Sequence, residues 1–319
     1  MSDFSRPRFL VAGAGALGTA FGAMLRRAGC EVTFLGRNEA HMAAVRAGGV
    51  KVSGLWGEHL ITGIAAHTDA AQTTEADYVL VTTKSIDTAD IVAAVAPRQP
   101  SARFVTLQNG LGNIEAIEGA VGRERTIGGM VIIGFTIPSP GEVKVTVIGG
   151  DVLIGRPDGA TDPATRALAE TFDAAGITTH LTDNIRGAVW GKVLYNCSLN
   201  PLGAILDVPY GELASPHTWA IIEDVVKECF AVAASVGVTL KWNEPAAYLE
   251  LLRSRQLPDT AAHRASMLQD IERGRRTEID HLNGAIARLA RERGIAAPVN
   301  ESLAALVRYL EIHGKGDGR

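Results

Sequence analysis

The chain has 319 residues, of which 46% are hydrophobic and 21% are charged, and its formal net charge is −4 at pH 7. This composition is that of an ordinary globular protein: it excludes wholesale disorder, and the slight negative charge leaves no electrostatic footprint for nucleic acid. The length is large for one hydrophobic core and predicts two domains.

Three cysteines bear on the cellular compartment. Cys30, Cys197 and Cys229 are far apart and each stands among apolar residues, which is typical of buried thiols in a reducing compartment and not of a disulfide framework or a metal site. The uncharged run 9–25 imitates a signal peptide or a short membrane span, but four glycines interrupt it. We therefore expect a cytoplasmic protein without a metal centre and without a membrane partner.

A glycine-rich turn stands near the start of the chain, between a predicted strand at 9–12 and a predicted helix. The turn reads Gly13-Ala14-Gly15-Ala16-Leu17-Gly18. In such a motif the first glycine makes the tight turn, the second lets the backbone approach a pyrophosphate, and the third lets helix and strand pack closely. The amino terminus of the helix adds N–H groups and partial positive charge. These six residues are therefore predicted to bind a dinucleotide.

The residue that follows the second predicted strand, 31–35, indicates which dinucleotide is bound. An NAD enzyme usually places a carboxylate here, which accepts a hydrogen bond from the ribose 2′-hydroxyl. This chain has Arg37 instead. Because a guanidinium suits a 2′-phosphate, the predicted cofactor is NADP (NADPH) rather than NAD.

Two further apolar strands end in polar residues. The run 76–83 leads to Lys84, and the run 104–107 leads to Asn109. Ligands of open parallel sheets bind outside the carboxyl ends of the strands, so both side chains are expected to meet cofactor or substrate. The alternatives are a surface lysine at a helix start and a simple Asn-Gly turn.

The first domain is predicted to span residues 1–183. Strand runs between 126 and 154 are broken by proline and glycine turn signals, which predicts antiparallel strands added to the sheet. A helix over 163–175 and a strand near 177–181 close the domain. The predicted fold class is therefore α/β, with an amino-terminal Rossmann-type doubly wound sheet that carries added antiparallel strands.

The second domain is predicted to be all-α and to span residues 184–313. Apolar residues have helical spacing in six segments, 184–206, 216–236, 243–254, 261–273, 277–293 and 299–312. Thr277 is predicted to cap the fifth helix, with Asp280 completing a variant of the capping box. The tail 314–319 is predicted to be disordered.

The first helix of this domain carries a polar stripe on an otherwise apolar surface. Lys192, Asn196 and Asn200 are each four residues apart and therefore share one face. Either the lysine reaches solvent while backbone groups satisfy the two asparagines, or the stripe is the floor of a functional site. A nucleotide-binding domain earlier in the chain favours the second interpretation.

Taken together, these motifs resemble the ketopantoate reductase family. After the glycine motif the matching stretches are 82–84, 108–110, Lys192-x3-Asn196-x3-Asn200-Pro201, 266–270 and 277–280. The resemblance covers nearly the whole chain. It implies NADPH-dependent reduction of the 2-oxo acid 2-dehydropantoate to (R)-pantoate, a step of pantothenate and coenzyme A biosynthesis.

The resemblance also implies roles for individual residues. Lys192 matches the lysine that protonates the carbonyl oxygen, and Glu278 matches a glutamate that orients this lysine or binds the substrate hydroxyl. Substrate-binding positions match Asn109, Asn196, Asn200 and Ser266, while Arg37 and Lys84 match residues that contact the phosphates of NADPH. The chemistry is consistent, because hydride delivery to C2 of a 2-oxo acid builds negative charge on the carbonyl oxygen, which an ammonium can stabilise and protonate.

Two residues depart from the family pattern in the region of the substrate pocket. Tyr210 and His263 stand where the family commonly has asparagine. Both changes alter polarity and size where the acyl tail would lie, and a lost hydrogen bond to substrate can cost more than a lost apolar contact. A branched or aromatic 2-oxo acid is therefore a serious alternative substrate.

Two other functions stay open from the sequence. A β-hydroxyacid dehydrogenase shares the Rossmann domain, the helical domain and a lysine-asparagine pair four residues apart, although the segments with Ser266 and Glu278 fit it less well. A protein that senses NADPH without turnover would need the glycine motif but no catalytic lysine. The oligomeric state also stays open, with a homodimer as one alternative.

Overall fold

The computed structural model describes residues 6–314. The chain divides into two compact units, one comprising Met1–Gln108 and Asn113–Ile185, the other Asn109–Gly112 and Arg186–Arg319. The segment Asn109–Gly112 thus belongs with the helical unit, whereas the sequence placed it inside a first domain at 1–183. Of the predicted disordered tail at 314–319, all but Gly314 lies outside the described residues.

Within the described residues, the first unit holds all the strands named here and five α-helices. The strands are β1 (Arg8–Ala12), β2 (Glu31–Leu35), β3 (Val50–Gly54), β4 (His59–Ile61), β5 (Ala65–His67), β6 (Tyr78–Val81), β7 (Arg103–Thr106), β8 (Thr126–Met130), β9 (Ile133–Thr136), β10 (Glu142–Ile148), β11 (Val152–Gly155) and β12 (Thr179–Leu181). The helices are α1 (Ala16–Arg27), α2 (Glu39–Gly48), α3 (Thr88–Val95), α4 (Asn113–Val121) and α5 (Pro163–Ala174).

An eight-stranded sheet forms the core of this unit, in the order β12-β11-β8-β7-β6-β1-β2-β5. β1 lies between β2 and β6 and runs parallel to both. Its residues from Phe9 to Ala12 are buried, which explains the continuous apolar run, because a central parallel strand is covered on both faces. The predicted Rossmann-type doubly wound sheet is confirmed.

The predicted addition of antiparallel strands to this sheet is confirmed for β11, whereas β9 and β10 belong to another sheet. β8 joins the sheet parallel to β7, and β11 runs antiparallel to β8. β9 and β10 instead combine with β3 and β4 into a separate four-stranded sheet of order β4-β3-β10-β9, in which β10 runs parallel to β3. Turn signals locate strands along the chain but not their partners, and the pairing of β10 with β3 joins segments about ninety residues apart.

The second unit is helical, as predicted. Its helices are α6 (Ile185–Leu206), α7 (Pro216–Ser235), α8 (Pro245–Leu251), α9 (Leu257–Asp259), α10 (Ser266–Glu272), α11 (Asn283–Glu292) and α12 (Pro298–His313). A π-helical turn, Leu252–Gln256, joins α8 to α9. The apolar faces of these helices form a single buried cluster, to which α6 contributes fully buried side chains such as Leu194 and Leu199. Within residues 6–314, no helix combines the length and the apolar character that a membrane span requires.

Two of the predicted helices begin later than expected. Residues 261–265 are not helical, because the carbonyl groups of Ala261 and His263 accept hydrogen bonds from the backbone of Gly211 and Tyr210. These carbonyls therefore accept hydrogen bonds from a distant segment and not from a following helical turn.

The helix expected over 277–293 is replaced by a 3₁₀ turn, Ile279–His281, followed by α11. The hydroxyl of Thr277 accepts from the N–H of Ile279 and donates to Glu311, so Thr277 closes a short turn. Asp280 pairs with Arg308 at 2.6 Å. The predicted capping box is therefore wrong, since the carboxylate of Asp280 pairs with Arg308 and does not cap a helix.

A proline inside α6 is compensated by a buried asparagine. Pro201 lacks the N–H that would bond to the carbonyl of Cys197. The amide of Asn283 donates to that carbonyl at 3.1 Å and to the side-chain oxygen of Asn300 at 3.0 Å. Both asparagines are fully buried, and Asn300 in turn donates to Glu228. The helix that carries the polar stripe is thus anchored through this network.

Asn283→Ala is expected to lower the free energy of unfolding by about 2 kcal/mol, because it leaves the carbonyl of Cys197 buried and unpaired. Urea denaturation of the variant measures this. Asn243 is exposed, so Asn243→Ala is the control and should change stability by less than about 0.5 kcal/mol. Equal losses in the two variants would contradict the role given to Asn283.

Candidate active site

The glycine-rich turn has the geometry that the glycine motif predicts. Gly13 has φ +113°, and a Cβ built on it would lie 2.4 Å from the backbone nitrogen of Thr83. A Cβ on Gly18 would lie 2.4 Å from the carbonyl oxygen of Gly13, whereas a Cβ on Gly15 would meet no atom within 4 Å. The turn is therefore tightly packed at Gly13 and Gly18 and open over Gly15, at the start of α1. This open backbone fits a pyrophosphate.

Two cations stand at strand ends in the same unit. Arg37 follows β2, and its guanidinium contacts the carboxylate of Asp87 at 2.6 Å. Lys84 follows β6 and is partly buried at the start of the 3₁₀ turn Ser85–Asp87. Since β2 and β6 flank β1, these loops emerge at the carboxyl edge of the sheet on either side of the glycine turn. They can hold the phosphates of a dinucleotide.

Three polar side chains of the second unit are joined by hydrogen bonds. The ammonium of Lys192 donates to the side-chain oxygen of Asn109 at 2.5 Å, and the side-chain nitrogen of Asn109 donates to a carboxylate oxygen of Glu278 at 3.0 Å. The amide thus presents its carbonyl to the cation and its NH₂ to the anion. Asn109 connects Lys192 to Glu278, a role that the sequence did not reveal.

The backbone explains why Asn109 reaches Glu278, which is 169 residues away in the sequence. The N–H of Leu111 donates to the carbonyl of His281 at 2.8 Å, and the ring of His281 contacts the carbonyl of Leu111 at 3.1 Å. Gly110 has φ +80°, and a Cβ there would lie 2.7 Å from the same His281 carbonyl. Asn109-Gly110 is therefore both a turn and part of the site.

Burial controls the charge of Lys192. Desolvation lowers the pKa of Lys192 from 10.5 to about 8, and the nearby carboxylate of Glu278 opposes this shift by stabilising the ammonium. Lys192 thus remains mostly protonated at neutral pH but can lose its proton at moderately alkaline pH. A general acid needs a pKa near the operating pH, and this environment provides one.

The two asparagines of the stripe differ in their surroundings. Asn196 is buried on α6, one turn beyond Lys192. Asn200 is also buried and accepts a hydrogen bond from the hydroxyl of Tyr210. Ser266 is exposed at the first residue of α10, and its assignment to substrate binding stays a prediction.

Tyr210 and His263, the two departures from the family pattern, contact each other. Their ring centroids lie 5.1 Å apart, and the N–H of Tyr210 donates to the carbonyl of His263 at 3.0 Å. The ring of Tyr195 packs against Tyr210 at 5.9 Å. Burial raises the pKa of Tyr210 far above its ordinary value, so the hydroxyl stays protonated and acts as the donor to Asn200. The paired changes thus form an aromatic cluster on the polar stripe.

The sequence did not single out Asp87 or Tyr195 as members of these sites. A signal for Asp87 was present, because it lies three residues after Lys84 at the end of a parallel strand. For Tyr195 the helical period places the ring beside the stripe but does not identify its partner.

Comparison with known proteins extends over nearly the entire chain. The family model described as "Ketopantoate reductase PanE/ApbA" matches residues 9–159, and its carboxyl-terminal counterpart matches residues 184–311. The chain is 34% identical to the 2-dehydropantoate 2-reductase of Aquifex aeolicus, covering 97% of this chain and 99% of that protein.

Solved structures share the fold. A PanE/ApbA family ketopantoate reductase from Ralstonia eutropha is 34% identical, with a TM-score of 0.86 over 97% of this chain and 100% of that chain. D-mandelate dehydrogenase in complex with NADH and anilino(oxo)acetate is 27% identical, with a TM-score of 0.86 over 96% of this chain and 99% of that chain. Since both family models and a full-length relative match, the chain belongs to the ketopantoate reductase family.

Proposed function

We propose that this protein reduces 2-dehydropantoate to (R)-pantoate with NADPH, using Lys192 as the general acid. The observation that carries the proposal is the series of hydrogen bonds from Lys192 through Asn109 to Glu278. These bonds hold the ammonium of Lys192, whose pKa is lowered, on α6. The names of the relatives support the substrate, and Arg37 supports a 2′-phosphate on the cofactor. Pantothenate biosynthesis is the corresponding pathway.

In this mechanism the chain's own residues bind the substrate and deliver the proton. The glycine turn, Arg37 and Lys84 would hold the dinucleotide, whose nicotinamide would supply a hydride to C2 of the oxo acid. As negative charge develops on the carbonyl oxygen, the ammonium of Lys192 stabilises it and transfers a proton from Nζ, so that the carbonyl becomes a hydroxyl. Asn109 and Glu278 keep Lys192 charged and oriented. Neutral amides such as Asn196 are suited to hold substrate oxygen atoms without titrating.

Steady-state oxidation of NADPH, followed with a panel of 2-oxo acids, tests the proposal. We expect 2-dehydropantoate to give the highest kcat/KM and NADPH to be preferred over NADH. A clear preference for NADH would contradict the cofactor assignment, and 2-dehydropantoate among the poorest substrates would contradict the substrate assignment.

The aromatic cluster of Tyr210, His263 and Tyr195 favours a second candidate, reduction of an aromatic 2-oxo acid. Because the hydroxyl of Tyr210 donates a hydrogen bond to the side-chain oxygen of Asn200, that oxygen is less available as an acceptor for a substrate hydroxyl. The structural neighbour D-mandelate dehydrogenase carries a name that denotes an aromatic 2-hydroxy acid. In the same panel, a phenyl-substituted 2-oxo acid that exceeds 2-dehydropantoate in kcat/KM would select this candidate.

The pH dependence of the reaction should report Lys192. Since the acid must be protonated, the rate of reduction is expected to fall as pH rises through about 8, the pKa of Lys192. Oxidation of the hydroxy acid needs the neutral amine and should rise over the same interval. Glu278→Gln removes the carboxylate that raises this pKa, so the fall in the reduction rate should move to lower pH. The measurement is kcat against pH for both reaction directions.

The control is Glu272→Gln. Glu272 lies on α10 and pairs with Arg264, so the variant removes a carboxylate that does not contact Lys192 in this network. It should leave the pH profile unchanged. A profile that moves to higher pH in Glu278→Gln would rule out the proposed role of Glu278.

A further inference from the structure

An aspartate at the start of α3 does not perform the role that its position suggests. Asp87 is the residue before the first turn of α3, where an aspartate commonly accepts a hydrogen bond from a backbone N–H of the helix. Its side chain makes no such capping bond. The carboxylate contacts the guanidinium of Arg37 instead. The carboxylate of Asp87 therefore does not cap α3 but pairs with Arg37, which lies 50 residues earlier in the chain.

The location of this ion pair relates it to the dinucleotide. Arg37 follows β2 and Asp87 follows β6, and these strands flank β1, whose carboxyl end leads into the open turn at Gly15. The exposed fractions of the side chains are 84% for Arg37 and 26% for Asp87. The guanidinium is therefore accessible from solvent, while its partner is more enclosed.

Charge determines how the pair would respond to each coenzyme. A 2′-phosphate is a strong acceptor for a guanidinium, but a carboxylate already bound to that guanidinium competes with it and repels a second anion. A ribose with a free 2′-hydroxyl has the opposite relation, because a carboxylate accepts from it as in NAD enzymes. Asp87 thus opposes the phosphate that Arg37 attracts.

We propose that Asp87 is a coenzyme-specificity residue, which by pairing with Arg37 weakens the preference for NADPH and permits binding of NADH. The proposal rests on the proposed function, in which Arg37 receives the 2′-phosphate. It assigns Asp87 to the ribose end of the nucleotide and gives it no part in hydride transfer or proton transfer.

Equilibrium binding of NADPH and NADH to the protein without substrate tests this proposal. Asp87→Asn keeps the size of the side chain and a residue that caps helices well, and it removes the charge. The ratio of the dissociation constants, NADH over NADPH, is expected to rise about tenfold, mainly through tighter NADPH binding. The rise should be smaller at high salt, which screens exposed charges. Isothermal titration calorimetry gives both constants.

Asp90→Asn is the matched control. Asp90 is an exposed carboxylate in the first turn of the same helix, so this variant removes the same charge without touching the pair. Its ratio should stay within twofold of the parent value. A ratio unchanged in Asp87→Asn, or an equal change in Asp90→Asn, would overturn the proposal.

Arg37→Ala separates this inference from the proposed function. It is expected to weaken NADPH binding by about 100-fold and NADH binding little, and the effect of Asp87→Asn should be smaller in its background. If Arg37→Ala left NADPH binding intact, the proposed cofactor assignment would fail together with this inference. If Arg37→Ala weakened NADPH binding and Asp87→Asn changed nothing, this inference alone would fail.

Discussion

Lys192→Met is expected to lower kcat for the reduction by on the order of 10³, because it removes both the proton donor and the cation that stabilises the developing oxyanion. Methionine keeps an unbranched apolar stem, so packing on α6 is retained. Coenzyme binding should be preserved, since the residues assigned to the coenzyme, the glycine turn, Arg37 and Lys84, are unchanged. Steady-state kinetics and coenzyme titration measure the two effects separately.

The same substitution should not destabilise the protein at neutral pH. Burial lowers the pKa of Lys192 to about 8, so the unfolded chain binds more protons than the folded one between about pH 8 and 10.5, and stability rises with pH across that window. Below it the buried ammonium opposes folding. Removing the amine is therefore expected to leave Tm at pH 7 unchanged or higher.

A control variant is available on the next helix. Lys227 is exposed on α7 and pairs with Asp224, so Lys227→Met should leave kcat within a factor of two. If Lys192→Met retained more than about a tenth of the parent kcat, another residue would have to supply the proton.

Asn109 is the second residue whose replacement should have a large effect. Asn109→Ala is expected to lower kcat about 100-fold, since Lys192 loses the acceptor that orients it and the link to Glu278 is broken. Because a hydrogen bond to the charged form favours that form, its loss should lower the pKa of Lys192 further. The fall of kcat with pH should then begin at lower pH.

Asn109→Asp provides an opposite test at the same position. The carboxylate has the shape of the amide and can still accept from Lys192. It no longer donates to Glu278, but two carboxylates beside Lys192 favour the ammonium more than one does, so the fall of kcat should move to higher pH. Opposite displacements in the alanine and aspartate variants would distinguish electrostatic positioning from simple loss of packing. Displacement in the same direction in both would contradict the role of Asn109. Asn243→Ala, at an exposed asparagine, is the control and should leave the pH profile unchanged.

Local sequence carried much of the information about the nucleotide-binding unit. The glycine turn, β1 and α1 are contiguous, and both the positive φ of Gly13 and the contact of Gly18 with the carbonyl of Gly13 arise within this stretch. Spacing along one helix likewise placed Lys192, Asn196 and Asn200 on one face. Such features follow from the strand and helix periods and from turn chemistry, which a single stretch of sequence contains.

Contacts between distant segments could not be predicted in this way. Nothing in the sequence indicates that 109–112 belongs with the helical unit, because that depends on the backbone hydrogen bond from Leu111 to His281. The separate sheet of β9 and β10 and the late start of α10 have the same origin. In each case a backbone group is bonded to a partner far along the chain, and periodicity does not encode the identity of that partner.

The candidate site shows the same division. By itself the sequence determined which residue types are present, a lysine with amides on one helix and an arginine after β2, since side-chain chemistry and local spacing suffice for that. The tertiary structure decided which groups act on one another. It joined Lys192 to Glu278 through Asn109, Tyr210 to Asn200, and Arg37 to Asp87. Proton affinity and charge depend on such neighbours within a few ångströms, and folding alone brings these neighbours together.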